Sequence, residues 1–294
     1  NRIKTGFKQE CERAMTISRR FSSKVTASVI LTTLALLASE SFANKQTIKV
    51  DPIYNQRWEQ VRTALYPDQS FLDADEVIEL TTPVVPDDPA SVPVSIRALI
   101  PQTEEHYIKR IALLVDHNPA PLAAVFHLTP NSGVADLKTR VRVGEFSWIR
   151  VVAETNQGKS YMAKAFVKAS GGCDVPPRID HEKVQSGIGD MQLRLPGGSK
   201  PGQVNLAHLK IQHPNYNGMQ VGNTAGVYIP ARLIQKIEVS YAEQPVLVID
   251  GHMSLSSDPQ FRFHYVPDRS GEFEIRMLDS DKAEFRKQWS VQID

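Results

Sequence analysis

One cysteine stands in a setting suited to chemistry rather than to packing. Gly171-Gly172-Cys173-Asp174-Val175-Pro176-Pro177 places a thiol between two glycines and a proline pair. The glycines remove side-chain cover and widen the allowed backbone, and the prolines stiffen an extended exit. A thiol so placed is expected to be exposed and mobile. Reactive thiolates usually owe their charge to a neighbouring cation or a helix N-terminus, whereas the neighbour here is Asp174, which raises a thiol pKa above its reference of about 8.5. The chemistry that fits is therefore passive: an attachment point loaded and unloaded by other proteins, not an enzyme nucleophile. The competing expectation is a buried structural cysteine, where most free cysteines go. Position after a strand, among glycines and prolines, argues against it.

Other chemistries find less support. The eight histidines include no His-x-x-x-His or Glu-paired zinc pattern, and Cys-x-x-Cys-His for haem is absent, so no metal site and no cofactor is expected. His213-Pro214 and Asp116-His117-Asn118-Pro119 have the character of strand-end turns. Pro196-Gly197-Gly198-Ser199-Lys200-Pro201-Gly202 lacks the Gly-Lys-Ser/Thr ending and the following helix of a phosphate loop, which leaves a hairpin turn. No Gly-x-Ser-x-Gly and no paired catalytic carboxylates stand out, so no catalytic residue is assigned.

The 294-residue chain carries 34 basic and 33 acidic residues. From Met15, Arg19-Arg20, the apolar run 25–38 and Ser41-Phe42-Ala43 form the n-region, h-region and small-x-Ala site of an export signal, with cleavage expected after Ala43. Residues 1–14 precede the first methionine and add no pattern. Ser18-Arg19-Arg20 with Lys24 partly resembles a twin-arginine signal, with Ser22 and Ser23 where Phe and Leu are usual. Removing residues 1–43 takes away seven basic and three acidic residues and leaves a net charge of −3. Nucleic acid and an anionic membrane are thus not expected as main partners, because both demand a basic surface. Cys11 goes too, so Cys173 becomes an unpaired cysteine in an oxidising compartment, where cysteines normally come in pairs.

The elements that must hold the thiol read as β. Trp58, Val61 and Leu65 recur at helical spacing and predict a short helix over 58–65, ended by Pro67. Strands are predicted over 76–80, 94–100, 111–115, 125–128, 137–143, 148–153 and 161–169, separated by Gly, Pro and Asn breaks. After the cysteine loop the pattern restarts over 191–195, 204–211, 233–241, 246–253, 261–266, 273–278 and 285–293. The expected fold is all-β: two immunoglobulin-like β-sandwich domains in tandem with a short N-terminal helix. The boundaries are 44–170 for the first domain, 171–187 for the Gly-Gly-Cys loop and linker, and 188–294 for the second. No sequence repeat links the halves.

Residues 115–128, 141–153 and 161–173 resemble SoxY, the subunit of the thiosulfate-oxidation carrier that ends in a Gly-Gly-Cys-Gly-Gly arm. The second half is similar to its partner SoxZ at 191–196, Ile211-Gln212-His213-Pro214, Ile229-Pro230-Ala231-Arg232-Leu233-Ile234, Ser257-Asp258-Pro259 and Phe261-Arg262-Phe263. The resemblance covers essentially the whole mature chain and implies a SoxY–SoxZ fusion: a periplasmic, non-enzymatic carrier holding a sulfur intermediate on Cys173, with Gly171 and Gly172 as its flexible arm. It also implies partners that do the chemistry, namely a haem cytochrome, a manganese-dependent sulfate-releasing hydrolase and a sulfane dehydrogenase, so that cofactors belong to them. Fused carriers of this type further resemble those linked with periplasmic quinoprotein dehydrogenases of alcohol oxidation, which leaves a scaffold without sulfur carriage as the alternative. The chain departs from the family where Asp174 replaces glycine and the polypeptide continues, so the arm is tethered at both ends. If residues 169–187 are mobile, its reach is at most about 30 Å.

Overall fold

Alternation of apolar and polar residues decides most of the architecture. A computed structural model describes residues 50–174, 186–222 and 227–293. The export signal, its cleavage after Ala43 and the Pro176-Pro177 part of the cysteine loop lie outside the described residues. Helix α1 (Ile53–Leu65) comes first, and its end is marked by the Tyr66 N–H bonding back to the Arg62 carbonyl, just before Pro67. The short β1 (Leu72–Asp73) follows. The first half then comprises β2 (Ile78–Thr81), β3 (Val92–Ala98), β4 (Ile108–Val115), β5 (Leu122–Leu128), β6 (Leu137–Val141), β7 (Ser147–Thr155) and β8 (Ser160–Val167). The second comprises β9 (Met191–Arg194), β10 (Asn205–Ile211), β11 (Ile234–Tyr241), β12 (Gln244–Gly251), β13 (Gln260–Tyr265), β14 (Gly271–Asp279) and β15 (Glu284–Val291). Every strand expected from the sequence is present within a few residues. β1, two residues long and parallel to β8, is the addition.

The strands form two sheets, ordered β1-β8-β7-β4-β5-β12-β11-β14-β15 and β2-β3-β6-β13-β10-β9. Their inner faces share one apolar core that runs through both halves. Apart from β1, each half gives four strands to the larger sheet and three to the smaller, in the same chain order, which is the seven-strand plan of an immunoglobulin-like sandwich. The two halves are therefore a structural repeat without a sequence repeat.

They are also not beads on a linker. β5 pairs antiparallel with β12 from Leu128↔Leu247 to Ala124↔Gly251, and β6 pairs with its counterpart β13 at Lys138↔Arg262. Equivalent strands thus meet each other across the seam, as in an isologous two-fold dimer. The seam closes two edges that each half alone would leave open, and Phe126 and Phe261 meet edge-to-face across it. Helix α1 lies on the outer face of the larger sheet, where Trp58, Val61 and Tyr66 pack on Ala112, Leu114, Val125 and Val152. With both faces covered, the last five residues of β4 are all buried.

Candidate functional site

Cys173 lies just past the end of β8, against loops of both halves. The chain leaves β8 with the Lys168 N–H bonded to the Val84 carbonyl, then lays Gly171 N–H on Gly144 O at 2.8 Å and Gly172 N–H on Val143 O at 3.0 Å. From the second half, Asn217 Nδ2 donates to the Cys173 carbonyl at 2.8 Å. The thiol lies beside Gly144 and the Asn118 carboxamide and is only 7% exposed. The expectation of an exposed, mobile thiol on a flexible arm is corrected here: both glycines are anchored. Gly171 has φ +80°, a left-handed conformation that side chains resist. Gly172 is where two backbones close in, because a Cβ there would strike the Pro89 carbonyl and come within 2.6 Å of Val143 O. The glycines fit the loop down.

Arg142, two residues before Gly144, is the nearest source of positive charge and is itself buried. Its guanidinium donates to the carbonyls of Asn215 at 2.6 Å, Leu255 at 3.3 Å and Pro214 at 3.3 Å, all in the second half. Asn118 ties the same region together: Nδ2 donates to Arg142 O and Ser254 Oγ, both at 2.7 Å, and Oδ1 accepts from Gly144 N–H at 2.8 Å. Asn215 in turn donates to Leu255 O at 2.7 Å and accepts from Ile234 N–H at 2.9 Å. The site is thus built at the junction, with an arginine of the first half holding carbonyls of the second.

Burial pushes the Cys173 thiol up to about 11, with Arg142 pulling it down and Asp174 adding a smaller push upward. Burial likewise pulls Arg142 down to about 10, opposed by Cys173. The thiol is a protonated, poor nucleophile while seated, as expected, but burial rather than Asp174 is the main cause. Arg142, Asn118 and Asn217 were not assigned to the site from the sequence, being 31, 55 and 44 positions away; Asn118 reads there as part of a turn and Arg142 as the end of a strand. Pro89 is equally remote.

Two buried polar clusters flank the thiol loop. On the outer side, Asp116 and Arg150 pair at 2.7 Å with almost no exposure, and the Arg150 guanidinium sits 4.4 Å over the Trp58 ring. Asp116 Oδ1 has no hydrogen-bond partner, and burial raises this carboxyl to about 6 against the pull of Arg150. In the second half, His213 is buried 3.7 Å from Asp279, and its Nδ1 accepts from the Asn215 N–H at 3.0 Å. Burial lowers this imidazole to about 4, opposed chiefly by Asp279. His213-Pro214 and Asp116-His117-Asn118 are strand-end segments, as read, yet both also frame the site. Among the described residues no group of three or more His, Cys, Asp or Glu side chains is placed to hold a metal ion.

Two family models match the chain in tandem: the sulfur oxidation protein SoxY over residues 62–173 and the sulphur oxidation protein SoxZ over residues 193–290. The first match ends on Cys173. No match was found among curated proteins. Of solved structures, the sulfur carrier protein SoxY from Chlorobium limicola f thiosulfatophilum is 22% identical over 40% of this chain and 94% of that one, with a TM-score of 0.33. A superoxide reductase (neelaredoxin) from Ignicoccus hospitalis is 16% identical over 44% of this chain and 100% of that one, with a TM-score of 0.28.

Proposed function

The chain belongs to the SoxYZ family of sulfur-oxidation carriers, a SoxY and a SoxZ segment in one polypeptide, and from that premise we propose that Cys173 is the covalent attachment point for a sulfur intermediate. The observation that carries this is positional: the SoxY match runs up to Cys173 and stops there. Loading with thiosulfate forms an S–S bond between Cys173 Sγ and the sulfane sulfur. The thiol proton goes to solvent and two electrons go to a haem cytochrome. Export to the periplasm, a sulfate-releasing hydrolase and a sulfane dehydrogenase complete the proposal, with the chain itself catalysing none of these steps.

The seated thiol must first be freed. Lifting residues 171–174 gives up the bonds to Gly144, Val143 and Asn217. At about 1 kcal/mol net for each, the lifted state is populated on the order of 1%. Seating protects the thiol between visits to partners, and Arg142 is the cation left facing an anionic adduct. The test is the intact mass of reduced protein after incubation with thiosulfate and the loading cytochrome. A carrier gains an adduct that sulfite or dithiothreitol removes, and Cys173→Ser gains none. An unchanged wild-type mass sinks the proposal.

The burial of Cys173 favours a second reading, a scaffold for a periplasmic quinoprotein dehydrogenase with no sulfur on the thiol. In that case Cys173→Ser complements a deletion strain under both thiosulfate and alcohol growth. A carrier fails on thiosulfate.

A further inference from the structure

The outer face of the smaller sheet breaks a rule that sheets normally keep. Across it, Thr81, Ser95, Lys138, Arg262, His208 and Arg194 stand directly opposite one another on β2, β3, β6, β13, β10 and β9. Three cations and an imidazole thus occupy consecutive strands, in register, across the seam between the halves. Like charges facing each other on neighbouring strands oppose pairing, and among the described residues no carboxylate forms an ion pair with them. Lys138, Arg262 and Arg194 are exposed, and none has a carboxylate partner among the described residues. The carboxylates nearby are engaged elsewhere: Glu79 with Arg97, and Asp136 with the Ala98 N–H and beside His264. Lys138, Arg262 and His208, with Arg140, Thr81, Ser95, Thr139 and Gln260, line a cleft of about 470 Å³. A chain whose exported part is net negative concentrates uncompensated positive charge on one face.

We propose that this row is a docking strip for a partner protein that presents a line of carboxylates. The row steps at the interstrand spacing of about 4.8 Å, and its three cations extend over about 14 Å from Lys138 to Arg194. That is too long for one sulfate-sized ion and matches a protein surface. No Phe, Tyr or Trp stands in the row to stack successive bases, which disfavours single-stranded nucleic acid. Along β6 the strip leads toward the segment that holds the thiol loop. Arg140, the next outward residue on β6, donates to the Ser91 carbonyl at 3.0 Å, and the Pro89 carbonyl two residues earlier faces Gly172. A partner seated on the strip that extends past Arg140 along β6 reaches the Ser91–Pro89 segment on which Gly172 packs. The strip itself does not depend on Cys173 carrying anything.

The test uses the full chain and a fluorescent hexaglutamate peptide followed by anisotropy. Wild type binds at low salt and releases the peptide as salt rises. Lys138→Gln with Arg262→Gln weakens binding about tenfold, and Lys109→Gln with Lys159→Gln, the same loss of two exposed charges away from the row, does not. Because the row opposes pairing, the double variant also melts about 1–2 °C higher than wild type. Equal binding by the double variant, tighter binding of a single-stranded oligonucleotide or of free thiosulfate, or a lower melting temperature in the double variant each overturns the proposal.

Discussion

The two halves lay seven strands in the same order and then treat the same sheet face in opposite ways. In the first half α1 covers the outer face of β4 and β7, and a buried charge, Arg150, is trapped beneath Trp58. In the second, the equivalent face of β11 and β14 is open and carries Lys236, Glu238, Glu274 and Arg276 in surface ion pairs. The loops differ as well. β11 and β12 are joined by the tight turn at Ala242-Glu243, both with positive φ, whereas β4 and β5 are joined by residues 116–121, which supply Asn118 to the thiol site and Asp116 to the buried pair with Arg150. The repeated framework is common property, and what sets the halves apart is which faces and turns were given polar groups to bury.

Breaking the covered face has the largest expected effect. Arg150→Met leaves the Asp116 carboxylate buried without its partner, removes the guanidinium over Trp58 and costs about 3–5 kcal/mol in urea unfolding, while Arg276→Gln on the open face of the second half leaves the midpoint nearly unchanged. Next comes acid. His213 has a folded pKa lowered to about 4, so its stabilising share is full above the unfolded value near 6.5 and is lost as pH falls toward 4, about 3 kcal/mol in all. His213→Gln flattens that slope. Asp116 works the other way: its carboxyl is raised to about 6, so its share is full below about 3.8 and lost as pH rises through 6. Asp116→Asn therefore steepens the acid loss, which thermal melts from pH 7 to pH 4 will read.

Smaller effects sharpen the picture of the thiol loop. Gly172→Ala drives a Cβ into two carbonyls, costs about 1–3 kcal/mol and unseats the loop, so iodoacetamide alkylates Cys173 faster than in wild type. In wild type the alkylation rate keeps climbing with pH toward about 11 instead of levelling near the ordinary thiol value. Removing the cation with Arg142→Gln moves that midpoint higher still.

Much of the framework was legible because it is local. Period-two alternation in 261–266 or 273–278 marks a half-buried strand whatever the rest of the chain does, and Gly and Pro breaks mark the turns. β1 was missed because two residues, Leu72 and Asp73, have no period. The pairing of β5 with β12 was missed because strand order is set by contacts between residues more than a hundred positions apart. The same physics misled the reading of Gly171-Gly172-Cys173. Glycine permits both freedom and close approach, and only the distant Pro89 and Val143 carbonyls decide for the second. The cation beside the thiol, Arg142, sits in a stretch that reads merely as the end of a strand.

The seam has a consequence for the route by which the chain reaches this state. β5 at residues 122–128 cannot complete its ladder until β12 at 244–251 exists, so this edge closes between residues 119 to 127 positions apart, from Leu128↔Leu247 to Ala124↔Gly251. Contacts of that span slow folding. Until they form, the first half presents an open edge strand, β5, whose inner face carries Phe126, a template for pairing with another chain. Assembly of the repeat is thus the interval in which the open edge invites aggregation, and the closure that ends the hazard also brings Asn217 to the Cys173 carbonyl and the Asn215 carbonyl to Arg142.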